Sequence, residues 1–391
     1  MSKFLKKKIL FITTRFPFNA NKGDTYRSKY ILESLSKFKK IDLVYIGTKE
    51  IFSKKGYKNL KIIGSFKIKT IQRILNALFS FIKLKPLQVG YFYSKEMKYF
   101  IDNVIDEYDV VVCHTIRSSQ YLKKQYKGTA LLEMTDLLSL NHKKISKSLS
   151  IFNFFKYIYY LESILLKYYE NQESKKFKKI ILISKNDISG NKCERFKKKI
   201  KVIGPAFKPL KNKFFFSIKN YKIVFIGDMT YHPNILACRE FIKNFLSLLK
   251  IENNYIELNI IGKISFIDKV IFSLHKNVKV HGNLKNLDKV LKKTICALCN
   301  VSVFTGFQNK ILNYMALGLP TICSYELKKN IGMAKNSVLF FKNPRDFKRK
   351  FHYLRKNKNF SENLSKKGSK ILNKFFTINK VGKNYLNSIQ N

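Results

Sequence analysis

Gly306-Phe307-Gln308-Asn309-Lys310-Ile311-Leu312-Asn313-Tyr314-Met315-Ala316-Leu317-Gly318-Leu319-Pro320 is the stretch on which the fold of this 391-residue chain turns. Ile311, Leu312 and Met315 recur at the spacing of one helix face. Gly318 followed by Pro320 reads as a helix stop. Thr305 to Gln308 has the form of a capping box. The apolar runs Ile295–Leu298 and Thr321–Cys323 on either side read as strands. Strand, helix, strand at this spacing predicts a crossover unit of a parallel sheet. The free N–H groups at the helix start favour an anion, and Lys310 adds a positive charge there. The plainer alternative is that Gln308 only caps the helix and Lys310 is solvated.

Outward from this block the alternation continues. Ile223–Ile226, Leu258–Ile261 and Val278–Val280 are short apolar runs, each ending in glycine: Gly227, Gly262 and Gly282. Glycine after a strand lets backbone approach a ligand, although glycines also end strands for turn geometry alone. The loop Gly227–Pro233, which carries Tyr231, leads into a helical pattern with proline in its first turn. It matches neither a dinucleotide nor a Walker fingerprint. A first series, Ile9–Thr13, Ile41–Ile46, Val110–Cys113, Ala130–Met134 and Ile180–Ile183, precedes it. Between the series, Gly204 to Lys213 holds a glycine and two prolines and reads as a linker. The expected organisation is an N-terminal domain over 1–205, a linker over 206–216 and a second domain over 217–370. A C-terminal helix over 371–391 is expected to pack back toward the first domain. Both domains are expected to be α/β, doubly wound parallel sheets facing a cleft, with ligands beyond the carboxyl ends of the strands.

That rule selects candidates in the first half. Lys22, Gly23, Asp24 and Arg27 follow the first strand, where Lys22 and Arg27 are suited to phosphates; the competing reading is an ordinary loop with Asp24 capping a helix. His114 follows Val110–Cys113 and Asp136 follows Ala130–Met134. A histidine with an ionised aspartate suits proton transfer, although a single histidine after a strand is more often structural. Six cysteines are present. Cys296 and Cys299 form a CxxC without a second pair or a nearby histidine, and on a strand they face opposite ways, so they read as buried thiols rather than a zinc set. No metal site is expected, and no Asp-x-Asp motif follows a strand.

At the quoted residues the sequence resembles bacterial GT-B glycosyltransferases of glycosyltransferase family 4, in particular the sugar transferases of exosortase-linked exopolysaccharide operons. The matching elements are Pro17–Arg27, Ile74–Tyr93, Phe225–Asn234 and, most specifically, Gly306–Pro320. The resemblance implies Rossmann-like halves, with the acceptor in the first and the nucleotide sugar in the second. It implies no cofactor, no obligatory metal and transfer with retention, without an agreed protein nucleophile. The donor-binding residues it implies are Gly227, Tyr231, Gly262, Gly282, Gly306, Phe307, Gln308, Asn309, Lys310 and Asn313; His114 and Asp136 are the catalytic candidates. Asn313 departs from the family, which carries glutamate there to hold the ribose hydroxyls. Asparagine still hydrogen-bonds, but without charge assistance.

The implied function is transfer of a sugar from a nucleotide-sugar donor to a glycan or lipid-linked acceptor in cell-surface polysaccharide biosynthesis. The formal net charge of +52 leaves a basic, non-enzymatic nucleic-acid or membrane-binding protein as an alternative. Against nucleic acid stand the missing basic arm and motif. Asn313 prompts a second alternative, a degenerate GT-B pseudoenzyme, and another GT-B enzyme such as a sugar-nucleotide epimerase is a third. No run reaches the length of a membrane span and Ile9–Ile12 is too short for a signal peptide, so a cytoplasmic location is expected. Two stretches mix aromatic and basic residues, Ile71–Lys85 and Ile151–Tyr160. They suit the inner face of an anionic membrane, while core packing is expected to explain most of their apolar positions.

Overall fold

The computed structural model describes residues 7–18, 23–50, 57, 59–184, 188, 196–207, 214–251, 254–284, 286–301 and 307–390. Lys22, Gly306, Thr305 and the linker residues 208–213 lie outside the described residues. The chain divides into two compact units. The first comprises Met1–Ala206 with Thr305–Phe307 and Ile378–Asn391; the second comprises Phe207–Phe304 with Gln308–Thr377.

The first unit holds a seven-stranded parallel sheet of β1 (Ile9–Thr13), β2 (Ile41–Ile46), β3 (Leu60–Phe66), β4 (Val110–His114), β5 (Thr129–Thr135), β6 (Lys179–Leu182) and β7 (Ile200–Val202). Their order is β3-β2-β1-β4-β5-β6-β7. Alternate residues of the central strands enter opposite layers: Leu10, Ile12, Val111 and Cys113 one core, Ile9, Phe11, Val110 and Val112 the other. Burial on both faces explains why these strands read as continuous apolar runs. The order reverses between β1 and β4, where Thr13 pairs with His114. A doubly wound sheet opens its binding crevice at such a switch point.

The second unit repeats the plan with β8 (Lys222–Ile226), β11 (Glu257–Ile261), β12 (Val278–Val280), β13 (Thr294–Cys299), β14 (Thr321–Ser324) and β15 (Leu339–Phe341), all parallel, in the order β12-β11-β8-β13-β14-β15. A two-residue ribbon of β9 (Lys250–Ile251) and β10 (Asn254–Tyr255) stands apart. The switch point lies between β8 and β13. Cys296 and Cys299 sit on β13 and are fully buried.

The segment 371–391 is not one helix. The helix Lys358–Phe375 belongs to the second unit and the helix Ile378–Gln390 to the first. They part where Phe207 N donates to Phe376 O and Phe207 bridges Thr377. Ile378, Val381, Tyr385 and Ile389 then complete one core layer of the first unit.

Candidate functional site

In the second unit the three glycine-ended strands finish side by side. Gly227 N donates to Ile261 O, and Gly262 N to Gly282 O. Gly262 has φ +145°, and a Cβ there would stand 1.8 Å from Gly227 O, so only glycine fits. Gly262→Ala is therefore expected to lower stability by about 2 kcal/mol through overpacking and backbone strain, read as the urea midpoint. It is also expected to abolish any ligand response that depends on this loop.

Two helices begin over the same edge. The helix His232–Asn244 follows Tyr231, and the helix Asn309–Ala316 follows Gln308; neither start is capped by a side chain. Thr305, the first residue of the expected capping box, lies outside the described residues. The helix begins at Asn309, and Gln308, at ψ 88°, sits at its N-cap rather than in its first turn. Among the described residues, neither N-cap side chain accepts from the N–H groups of its own first turn.

Tyr314 holds the second helix in place. Its hydroxyl donates to Leu298 O on β13 and accepts from Ile226 N on β8, both at 3.0 Å. One turn earlier, Lys310 lies across the switch point. Its Nζ donates to Asn234 Oδ1 at 2.9 Å and stands 3.6 Å from the centroid of the Phe225 ring. Asn234 in turn donates to Asp228 O. A Cβ on Gly227 would meet Lys310 Nζ at 2.9 Å, so the loop is shaped around the ammonium. Burial lowers the Lys310 pKa to about 8. Lys310 is therefore not the solvated lysine of the plainer reading. Asn309 Oδ1 is buried without a partner among the described residues; Asn313 is exposed, Tyr231 is 40% exposed and Phe307 is half-buried.

In the first unit, β1, β4 and β5 end together. Thr115 and Thr135, the residues after β4 and at the end of β5, have φ of +69° and +65°. For β-branched residues this is strained backbone of the kind found at functional sites. His114 is 1% exposed. Its Nδ1 lies 3.4 Å from Thr13 Oγ1, its Nε2 is buried without a partner among the described residues, and its ring stacks on Phe11. Burial lowers its pKa to about 3, with Asp24 the acid that acts against this. The ring nitrogens of His114 do not meet the Asp136 carboxylate, so among the described residues Asp136 does not orient the ring. Asp136 is half-buried and acts on Arg117.

Arg27 corrects a second expectation. It does not face a phosphate. Its guanidinium is buried, donating to both oxygens of Glu133, to Ile203 O, Gly204 O and Tyr385 Oη. The spacing missed this because Glu133 and Tyr385 are far away in sequence. Gly23, exposed, starts the helix Gly23–Leu35. Asp24 Oδ1 accepts from Thr25 N, while Oδ2 accepts from Arg15 and Arg117. Burial opposes its charge, but Arg117 and Arg15 hold it below the usual carboxylate range. Arg15, Asn234 and Phe92 were not singled out from sequence; Arg15, two residues beyond β1, had the right position.

The aromatic stretches are more exposed than packing predicts. In the helix Thr70–Ile82 only Ser80 is buried, while Phe79 is 60% and Ile82 74% exposed. Phe152 is 96% exposed, and Phe154, Phe155, Tyr157 and Tyr160 are also exposed.

Residues 220–357 match a family model described as glycosyl transferases group 1. A curated relative, an uncharacterized 44.6 kDa protein in the cps region of Klebsiella pneumoniae, is 25% identical over 292 residues, 72% of this chain and 71% of its own. Among solved structures, HepE of Anabaena in complex with UDP and glucose superposes with TM-score 0.64 at 12% identity over 98% of this chain and 99% of its own. Sucrose-phosphate synthase of Thermosynechococcus elongatus gives 0.68 at 11% identity over 97% of each chain.

Proposed function

We propose that this chain, a glycosyltransferase of the GT-B fold, moves a sugar from a nucleotide-sugar donor held by its second unit to a glycan or lipid-linked acceptor held by its first. The observation that carries the donor assignment is the junction of Gly227, Asn234 and Lys310 beneath two uncapped helix starts. Such a site presents backbone N–H groups and a partly desolvated ammonium to a diphosphate. The leaving nucleotide gathers negative charge as the glycosidic bond breaks, and preorganised donors stabilise that charge most. This positive end stands in for a metal, so transfer is expected to survive EDTA. HepE was solved with UDP and glucose, which makes uridine diphosphate sugars the first donors to try. The cps-region relative favours a surface-polysaccharide acceptor.

The test is a thermal-shift panel of UDP, GDP and their sugars. One nucleotide family should raise the melting temperature, and no response at low salt and high occupancy would count against the reading. Asn313→Glu supplies a carboxylate that accepts charge-assisted bonds from the hydroxyls of a ribose diol, and it should tighten nucleotide binding about tenfold. Unchanged affinity would place the ribose elsewhere.

For the first unit, His114 is assigned a neutral role: its unpaired Nε2 offers a hydrogen bond to a sugar hydroxyl. Asp136 is assigned the acceptor hydroxyl. His114→Ala and Asp136→Ala should lower turnover more than nucleotide affinity; full turnover in both removes the assignment. The exposed apolar residues of 71–82 and 151–168 support docking on an anionic membrane. No described helix is long and apolar enough to cross one. Sedimentation with anionic liposomes at low salt tests the docking.

A further inference from the structure

Three guanidiniums converge on one ring in the first unit. The Cζ atoms of Arg117, Arg15 and Arg73 lie 4.8, 5.2 and 5.6 Å from the centroid of Phe92, itself buried. Arg15 comes from the loop after β1, Arg117 from the turn after β4, and Arg73 from the helix Thr70–Ile82. Cation–π contact with one ring cannot neutralise three charges. Among the described residues, two carboxylates act on these arginines: Asp24, whose single Oδ2 is shared by Arg15 and Arg117, and Asp136, which acts on Arg117. Among these five groups one positive charge remains in excess.

The donors are also underused. Arg117 is 8% exposed, yet its Nε is buried without a partner among the described residues, and burial lowers its pKa to about 10. The only protein acceptor of Arg73 among the described residues is Ile68 O, through Nε at 3.3 Å, which leaves its terminal nitrogens open. Guanidinium forks of this kind match the oxygens of a phosphate. The neighbourhood of Arg73 adds a second requirement. Its helix turns Ile71, Ile74, Leu75, Leu78, Phe79 and Ile82 to solvent, so an apolar face borders the arginines.

We propose that Arg15, Arg73 and Arg117 form a phosphate subsite for an amphiphilic acceptor, with the hydrocarbon chain of that acceptor lying along the apolar face of Thr70–Ile82. This rests on the transferase reading and names its acceptor class: a phosphate- or diphosphate-linked lipid rather than a free glycan. The Asp24 carboxylate occupies the site in competition with the ligand.

Farnesyl diphosphate, farnesol and inorganic pyrophosphate serve as probes for calorimetry on the full chain. Farnesyl diphosphate should bind saturably, and Arg73→Gln and Arg117→Gln should each weaken it about tenfold. Asp24→Asn should tighten it, a change that a merely destabilised fold would not give. Inorganic pyrophosphate should bind more weakly than farnesyl diphosphate, and farnesol least. Arginine-independent binding overturns the subsite; equal affinity for pyrophosphate overturns the lipid. UDP binding to the same variants is measured in parallel. If UDP binds normally while farnesyl diphosphate does not, only the subsite fails. If no nucleotide binds the native chain, it is the transferase reading that fails.

Discussion

Replacing Lys310 by methionine is expected to lower nucleotide affinity about 100-fold while leaving the melting temperature within a few degrees of native. Two charge-assisted bonds to a diphosphate account for a loss of that order. Folding pulls the other way. An ammonium whose pKa is lowered to about 8 by burial is held charged at neutral pH against its surroundings. The sign follows from linkage. The unfolded chain keeps this proton up to about 10.4, whereas the folded chain releases it near 8. Between those values the unfolded state binds more protons, so this group makes stability rise with pH. Methionine removes the cost of the buried charge and keeps the contact with Phe225; the loss is the donor to Asn234 Oδ1. Gain and loss largely cancel. The same pKa predicts that native nucleotide affinity falls as pH rises above about 8, because the diphosphate selects the charged lysine. The variant should lose that pH dependence. Isothermal titration between pH 7 and 9.5 reads both, and a methionine variant with native affinity would remove Lys310 from the site.

What was legible in the sequence follows burial. The central strands β1, β2, β4, β8 and β11 are covered on both faces, so most of their residues are apolar and the runs stand out despite Asp42 in β2 and Asn259 in β11. The expected strands match them to within a residue or two at either end. Apart from the short ribbon β9–β10, the strands that escaped notice, β3, β7 and β15, are edge strands. β3 is half-buried along most of its length and contains Gly64, and β7 follows the lysines 197–199. An edge needs fewer apolar residues and leaves a weaker pattern.

The site was legible in part for a different reason. Glycine after a strand is a local signal, and Gly227, Gly262 and Gly282 were found by it. The partners of a charged side chain are not local. Lys310 read as solvated or phosphate-bound, because nothing nearby in sequence reveals that Phe225 and Asn234 enclose it. Arg27 read as a phosphate ligand for the same reason, and Arg15, with an equal claim on position, was passed over. Tertiary pairing separates the two arginines: Arg27 meets Glu133, and Arg15 meets Asp24 beside Arg73 and Arg117.

The pairing of Arg27 carries the other large prediction. Arg27→Ala should destabilise the first unit by about 3–5 kcal/mol, lowering its melting temperature by roughly 10 °C. Glu133 has no exposure, and its carboxylate is held by Arg27 Nε at 3.2 Å, by a terminal nitrogen of Arg27 at 3.3 Å, by Thr135 N at 3.1 Å and by the Tyr385 hydroxyl. Burial opposes charge on Arg27, but Glu133 and Tyr385 together outweigh it and raise the pKa of the guanidinium. Removing the arginine leaves an uncompensated buried carboxylate, strands the carbonyls of Ile203 and Gly204, and takes one of two partners from Tyr385 on the C-terminal helix Ile378–Gln390. Arg27→Met with Glu133→Gln should recover much of the loss, because neither residue then carries charge and the amide can still donate to a carbonyl. A phosphate-binding Arg27 predicts the reverse: small changes in melting temperature and a large loss of ligand affinity. Thermal unfolding of the two variants, with UDP binding measured on each, separates the alternatives. The double variant should bind UDP as the native chain does, since this network belongs to the first unit and the diphosphate junction to the second.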